Sequence, residues 1–301
     1  MRFLSGLVIG AIATIVFACS GESGGGATPA NPEEGGTTSS SGGSSGATSS
    51  SGGSSGTPAS DDIVTTTVET MQHEGAARKY VLSVPKDYDA AKKYPLWMFM
   101  TGDPVNAEAA AGFKLHNTSK SEAIIVYPSA ADTAWNHNAW QADNADSTFL
   151  LALIDTLAGK YSIDKGRVLL DGWSNGAFMA SAMACRYSSK FRAIGVQAGG
   201  APYDENDPNG VPDCAGAAIA AFVSHGKDDV TVDFNEYAGQ YWSEHAGCSA
   251  NRSASTPAPC ETYDGCPADK PVKVCFMPGT DHYSLLAKTF SVEWAWFKSL
   301  P

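Results

Sequence analysis

Three observations predict an α/β fold with a mostly parallel sheet, helices on both faces and an N-terminal antiparallel hairpin. Short apolar runs bounded by turn signals recur along residues 61–301, as expected for strands buried on both faces. Stretches with apolar residues at helical spacing lie between them, and such alternation builds parallel sheets with helices on either side. Ahead of the alternation, the β-prone runs Thr65 to Met71 and Lys79 to Val84 flank Glu74-Gly75, a hairpin signal.

In order, the apolar runs are Leu96 to Met100, Ile124 to Tyr127, Val168 to Leu170, Ala193 to Val196, Ile219 to Val223 and Val272 to Met277. The clearest helix places Phe149, Leu150, Leu153, Ile154 and Leu157 on one face, with Asp146 as its available N-cap. A second runs from Gly176 to about Cys185. A third, Tyr283 to Lys298, buries Phe290, Trp294 and Phe297.

The chain has 301 residues, 43% hydrophobic and 17% charged, with a net charge of −12. An acidic chain lacks the basic footprint that nucleic acids or anionic membrane surfaces require, so neither is expected as a partner. Met1-Arg2 followed by the apolar stretch Phe3 to Ala18 reads as a signal peptide, 1–18. It ends on Ala18-Cys19, which resembles the lipobox of bacterial lipoproteins and implies a lipid on Cys19. Residues 19–60 form a linker. From Ser20 to Ser60 there is no aromatic residue and no Ile, Leu, Val or Met, and the unit Ser39 to Thr48 recurs from Ser49. Such a segment buries too little apolar surface to offset its ordering entropy, and as a coil it reaches roughly 35 Å. The expected arrangement is a membrane-anchored lipoprotein, at the outer membrane or cell surface, with a tether that holds a single domain, 61–301, clear of the membrane.

The chemistry is carried by Gly172-Trp173-Ser174-Asn175-Gly176, which follows the run Val168 to Leu170 and opens a predicted helix. Gly-x-Ser-x-Gly between strand and helix is a tight turn that holds a serine hydroxyl above the sheet. Ser174 is therefore the candidate nucleophile. At the helix N-terminus, the backbone N–H of Asn175 can stabilise an oxyanion. A serine needs a base, and the base an orienting acid, in the chain order Ser, acid, His. Only His225, His245 and His282 follow Ser174. His282 falls between the last strand and the last helix, at the carboxyl edge where such sheets present catalytic groups. His245 is expected in a surface helix, and His225 precedes the acids. Asp228, Asp229 and Asp233 are possible acids; the His-Gly-x-x-Asp spacing favours Asp229, with Asp228 next.

These segments, with Tyr80 to Pro85, Ile125 to Pro128 and Gly279 to His282, resemble the α/β-hydrolase esterases grouped with polyhydroxybutyrate depolymerases and feruloyl or acetylxylan esterases. The resemblance covers most of residues 79–301. It implies the α/β-hydrolase fold, with Ser174 as nucleophile, Asp229 as acid and His282 as base. It also implies hydrolysis of carboxylic esters of polymers or their fragments through an acyl-enzyme, without a metal or other cofactor. One departure concerns the loop after Leu96 to Met100, which in the family begins His-Gly and offers a second oxyanion N–H. Here it reads Thr101-Gly102-Asp103-Pro104; Pro104 has no N–H, leaving that of Asp103.

Trp173, Trp140 and Tyr283 are candidate substrate-binding residues, with Trp135 and Tyr203 further candidates for an apolar wall. His137 has no ligand partner at metal-site spacing. A monomer is expected. Two other readings share these features: a serine peptidase with the same triad, and an esterase-fold surface binding protein impaired by its altered Thr101 loop. Of seven cysteines, six remain besides Cys19, an even number in an exported chain, where disulfides are expected. The favoured pairs are Cys185–Cys214, Cys248–Cys275 and Cys260–Cys266.

Replacing Cys19 by Ser is expected to release the protein from membranes in cell fractionation. Unchanged membrane retention, with processing insensitive to globomycin, would contradict the lipid anchor.

Overall fold

Successive side chains of the continuously buried central strands point to two opposite cores, and this fixes where the helices sit. The computed structural model describes residues 63–138, 144–203, 212, 214 and 217–301. The signal peptide, Cys19, the linker and Trp140 lie outside the described residues. Strands β1 (Val64–His73) and β2 (Ala76–Pro85) form the expected hairpin about Glu74-Gly75. The alternation then runs β3 (Tyr94–Met100), α1 (Ala107–Ala111), α2 (His116–Ser119), β4 (Ile124–Pro128), α3 (Ala145–Lys160), β5 (Ile163–Trp173) and α4 (Asn175–Tyr187). It continues through β6 (Ala193–Gln197), β7 (Ala220–Gly226), α5 (Tyr237–Ala246), β8 (Arg252–Ala254), β9 (Glu261–Tyr263), β10 (Val272–Met277) and α6 (Leu285–Ser299).

Among the described residues the strands form one sheet, in the order β1-β2-β4-β3-β5-β6-β7-β10-β9-β8. The six central strands, β4 to β10 in that order, pair in parallel, and the edges are antiparallel. This is the α/β-hydrolase fold. On β3, Leu96, Met98 and Met100 face one core, with Phe149 and Leu153 of α3 and Met179 and Met183 of α4. Trp97 and Phe99 face the other, with Phe290, Trp294 and Phe297 of α6. There Trp97 stacks on Trp294, with ring centres 5.0 Å apart and planes 4° from parallel. Helices thus cover both faces, and the parallel strands share one carboxyl edge.

Two sequence expectations are corrected. Asn144, not Asp146, caps α3: its side chain accepts the N–H groups of Asp146 and Ser147. Asp146 is buried instead and pairs with Arg78 at 2.6 Å. Of the disulfides, Cys185–Cys214 forms, but Cys248 pairs with Cys266 and Cys260 with Cys275, in place of Cys248–Cys275 and Cys260–Cys266. The cause is the short strand β9. It runs antiparallel to β10 with Glu261 opposite Val274, a register that carries Cys260 opposite Cys275. Cys248 is left for Cys266, beside the Ser249 N–H to Asp264 carbonyl bond.

Beneath the carboxyl edge, on the α6 side, lies a fully buried polar cluster. Asp171 accepts from the Trp97 indole at 3.0 Å, and the Gln197 amide donates to both Asp171 and Glu293 at 2.9 Å. Thr289 donates to the Gln197 side-chain oxygen at 2.6 Å. Glu293 Oε1 receives no donor. A buried carboxyl oxygen without a donor is the one that carries a proton, here shared with Asp171. Burial and the neighbouring Asp171 charge hold Glu293 well above the ordinary carboxylate range. Burial likewise pushes Asp171 up to about 6, against the bonds from Gln197 and Trp97.

With its carboxyl held well above the ordinary range, folded Glu293 keeps its proton to a higher pH than the unfolded chain does. Folding therefore takes up a proton, and stability falls as pH rises above the ordinary glutamate value until the folded group ionises. Glu293→Gln keeps a donor toward Asp171 and removes this proton. Denaturation midpoints between about pH 5 and about pH 8 should show a flatter decline than the wild type by about one proton. An unchanged slope would contradict the protonated assignment.

Candidate active site

The site is built around a backbone turn that only certain residues permit. Ser174 has φ 57° and ψ −124°, outside the regions an L-residue enters readily. A Cβ on Gly172 would run into the Gly176 carbonyl, and one on Gly176 into the Met100 carbonyl, so both flanking positions require glycine. The turn is secured from β6, where the Gln197 carbonyl accepts the Ser174 N–H at 2.9 Å. The serine is thereby lifted to the mouth of a cavity of about 480 Å³ at the carboxyl edge of the sheet.

The acid and base arrive on loops after β7 and β10. Asp229 is buried, whereas Asp228 is exposed. Asp229 Oδ1 accepts the N–H groups of Thr231 and Val232 at 2.9 and 3.0 Å, and its Oδ2 accepts His282 Nδ1–H at 2.7 Å. Burial would raise the Asp229 carboxyl. The bonds from His282, Val232 and Thr231 outweigh it and hold the group below its ordinary value. An ionised carboxylate can only accept, so the proton of a neutral His282 sits on Nδ1 and Nε2 is left free to take one. Both Ser174 and His282 line the cavity.

Around them, the expected residues take distinct places. Trp173 lines the cavity and also anchors the base: its indole donates to the His282 carbonyl at 3.1 Å, with the rings 4.8 Å apart. Tyr283 and Tyr203 form exposed parts of the wall. Trp135, expected as a wall residue, is buried away from the cavity lining, and its indole donates to the Thr101 carbonyl at 3.0 Å. Asn175 opens α4, and Gly102 packs so closely on Ser174 that a Cβ there would lie 2.6 Å from the serine Cβ. Asp103 is exposed and lines the cavity; partial burial raises its carboxyl, opposed by nearby His137. Asn175 and Asp103, the residues expected to offer oxyanion N–H groups, both line this cavity.

Sequence reasoning missed two histidines. His137 lines the cavity between the rings of Phe178 and Tyr203, 5.5 and 6.1 Å away, and burial lowers its pKa. His225 is buried beside the acid, with Nε2 2.9 Å from the Val232 carbonyl and 3.3 Å from Asp229 Oδ2. A carbonyl cannot donate, so Nε2 carries a proton that it gives to the Val232 carbonyl. Burial holds His225 below its ordinary value, which keeps it neutral beside Asp229. Its spacing in His225-Gly226-Lys227-Asp228-Asp229 was the available signal, since the turn after β7 folds residue 229 back onto 225. Among the described residues, no group of three or more His, Cys, Asp or Glu could hold a metal ion.

Known proteins resemble this chain in sequence and in fold. Residues 79–208 match the family model described as Esterase PHB depolymerase. A probable feruloyl esterase C from Aspergillus terreus is 29% identical over 130 residues, 41% of this chain and 47% of that protein. Its counterpart from Aspergillus niger is 24% identical over 176 residues, 54% and 59% of the two chains. The chain thus spans about half the length of the curated relatives it matches. Among solved structures, an acetyl xylan esterase from Aspergillus awamori superposes with a TM-score of 0.58 at 17% identity, covering 77% of this chain and 99% of that one. The feruloyl esterase module from Clostridium thermocellum gives 0.53 at 13% identity, covering 77% and 86%. These structural likenesses establish the fold.

Proposed function

We propose that this chain is an α/β-hydrolase esterase similar to the polyhydroxybutyrate depolymerases and feruloyl esterases, and that it hydrolyses carboxylic esters through an acyl-enzyme. The observation that carries the proposal is the convergence of Ser174 and the Asp229-bound His282 on one cavity. Ser174 Oγ attacks the ester carbonyl while His282 Nε2 takes its proton. The tetrahedral oxyanion is held by the N–H groups of Asn175 and Asp103. Collapse of the intermediate releases the alcohol, which receives the proton from His282. Water activated by His282 then frees the acid and restores Ser174. Asp229 stays ionised throughout and stabilises the imidazolium. Trp173, Phe178, Tyr203 and Tyr283 supply an apolar wall for the acyl or alcohol part of the ester.

The proposed substrates are hydroxybutyrate, feruloyl or acetyl esters of polymers or their fragments, in keeping with what the matched relatives are named for. The proposed location is extracytoplasmic, through a lipid on Cys19. Three disulfides in the domain support an oxidising compartment. Among the described residues no helix is long and apolar enough to cross a membrane.

The triad is tested by double-mutant kinetics on acetyl, butyryl, hydroxybutyrate-oligomer and methyl-ferulate esters. Residues that act as one unit are not additive. Ser174→Ala and His282→Ala should each cost about as much as the double replacement, roughly 10⁴ to 10⁶ in kcat. His245, which stacks on Tyr241 at 4.1 Å and lies outside the cavity lining, is the control and should keep its activity when replaced by Ala. Modest single effects that multiply in the double variant would mean that Ser174 and His282 do not share a mechanism.

A further inference from the structure

An oxyanion pocket assembled from two chain segments works only if something fixes their spacing. Here the donors belong to the loop after β3 (Asp103) and to the first turn of α4 (Asn175). The β3 loop reads Thr101-Gly102-Asp103-Pro104, and Pro104 can offer no N–H.

One buried side chain touches both segments. Trp135 is 3% exposed and forms no part of the cavity wall. Its indole N–H donates to the Thr101 carbonyl at 3.0 Å, and its backbone N–H donates to the Asn175 side-chain oxygen at 2.8 Å. The first bond fixes the peptide plane that leads into Gly102, and Gly102 is itself pressed against Ser174. The second holds the residue whose own N–H faces the oxyanion. Nearby, the Val105 N–H donates to the Thr133 carbonyl at 2.8 Å, so the β3 loop is tied to the Trp135 segment on both sides of Asp103.

The Trp135 segment is in turn anchored by a buried charge. Asp146 accepts the N–H groups of Ala131 and Asn136 at 2.7 and 2.9 Å, four residues before Trp135 and one after it. Arg78 of β2 neutralises Asp146 at 2.6 Å and also donates to the Ser129 carbonyl at 3.2 Å. An ion pair only 5% and 3% exposed is costly to break, which makes this a stiff support. The brace therefore runs from the sheet and α3 through residues 129–136 to both oxyanion donors.

We propose that Trp135 is a positioning residue that sets the distance between the Asn175 and Asp103 N–H groups. The proposal rests on the esterase reading above. The indole ring fills space, but its N–H does the positioning. An oxyanion donor displaced by an ångström or less weakens the transition state more than the bound ester, so the effect belongs in kcat rather than KM.

The test compares wild type with Trp135→Phe and with a variant carrying β-(3-benzothienyl)alanine at 135, which keeps the bicyclic shape and deletes only the N–H. Measured are kcat and KM on p-nitrophenyl butyrate, the affinity for phenylboronic acid (which forms a tetrahedral adduct with an active serine) and the thermal midpoint. Both variants should lose about 10- to 100-fold in kcat with KM nearly unchanged, and boronate affinity should fall in parallel. Folded variants with kcat within about twofold of wild type, or with the loss confined to KM, would overturn the proposal. Should Trp135→Phe fail to fold, the benzothienyl variant decides. If that variant also fails to fold, the N–H is a structural bond of the domain and the positioning role is rejected. A wild type with neither ester turnover nor a boronate adduct would reject the esterase reading and this proposal with it, and the wild-type arm alone reveals that case.

Discussion

Ser174 stands at φ 57° and ψ −124°, and the surrounding structure exists in the form it does because that turn must be enforced. Gly172 and Gly176 clear the space by bringing β5, the first turn of α4 and the Met100 carbonyl of β3 into backbone contact. The Gln197 carbonyl of β6 secures the Ser174 amide at 2.9 Å. The side chain of that same Gln197 reaches down to the buried Asp171 and Glu293 carboxyls, which tie β5 to α6. The nucleophile's geometry is thus set by three adjacent parallel strands and by a polar cluster underneath them, not by the loop that carries it. Strain of this kind persists only where its surroundings over-determine it.

Electrostatics repeats the pattern of support from below. Asp229 would be raised by burial were it alone, but three donors bond to it: two backbone amides and His282. Its carboxylate is held ionised, which fixes the tautomer of His282. His225 closes one side, bonding to the Val232 carbonyl of the turn with its Nε2 3.3 Å from the carboxylate. The acid is therefore locked in orientation as well as in charge. Elsewhere, the Arg78–Asp146 pair holds the segment that contains Trp135.

What could be read from the sequence was whatever is local. Continuous apolar runs gave the central strands, because both faces of those strands are buried. The glycines of the Ser174 turn were visible because steric exclusion at a fixed spacing leaves a fixed pattern. Short edge strands left no such trace. Arg252–Ala254 and Glu261–Tyr263 are three residues each and mostly polar, so the β9–β10 register was invisible and the pairing of four cysteines went astray with it. Asp146 looked like a cap because only its position was known, whereas its partner Arg78 lies 68 residues away in sequence. Trp135 likewise reads as one more aromatic until the fold brings it to Thr101 and Asn175. Interactions between distant segments, each made by a single side chain, have no periodicity to betray them.

The central claim is that this turn presents a reactive serine, and covalent labelling tests it most directly. Folded protein treated with a fluorophosphonate probe should carry one adduct, and peptide mass mapping should place it on the segment containing Ser174. Prior replacement of His282 should slow the labelling severely, because the hydroxyl is a weak nucleophile without its base. An unlabelled folded protein, or an adduct on a different serine, would contradict the account.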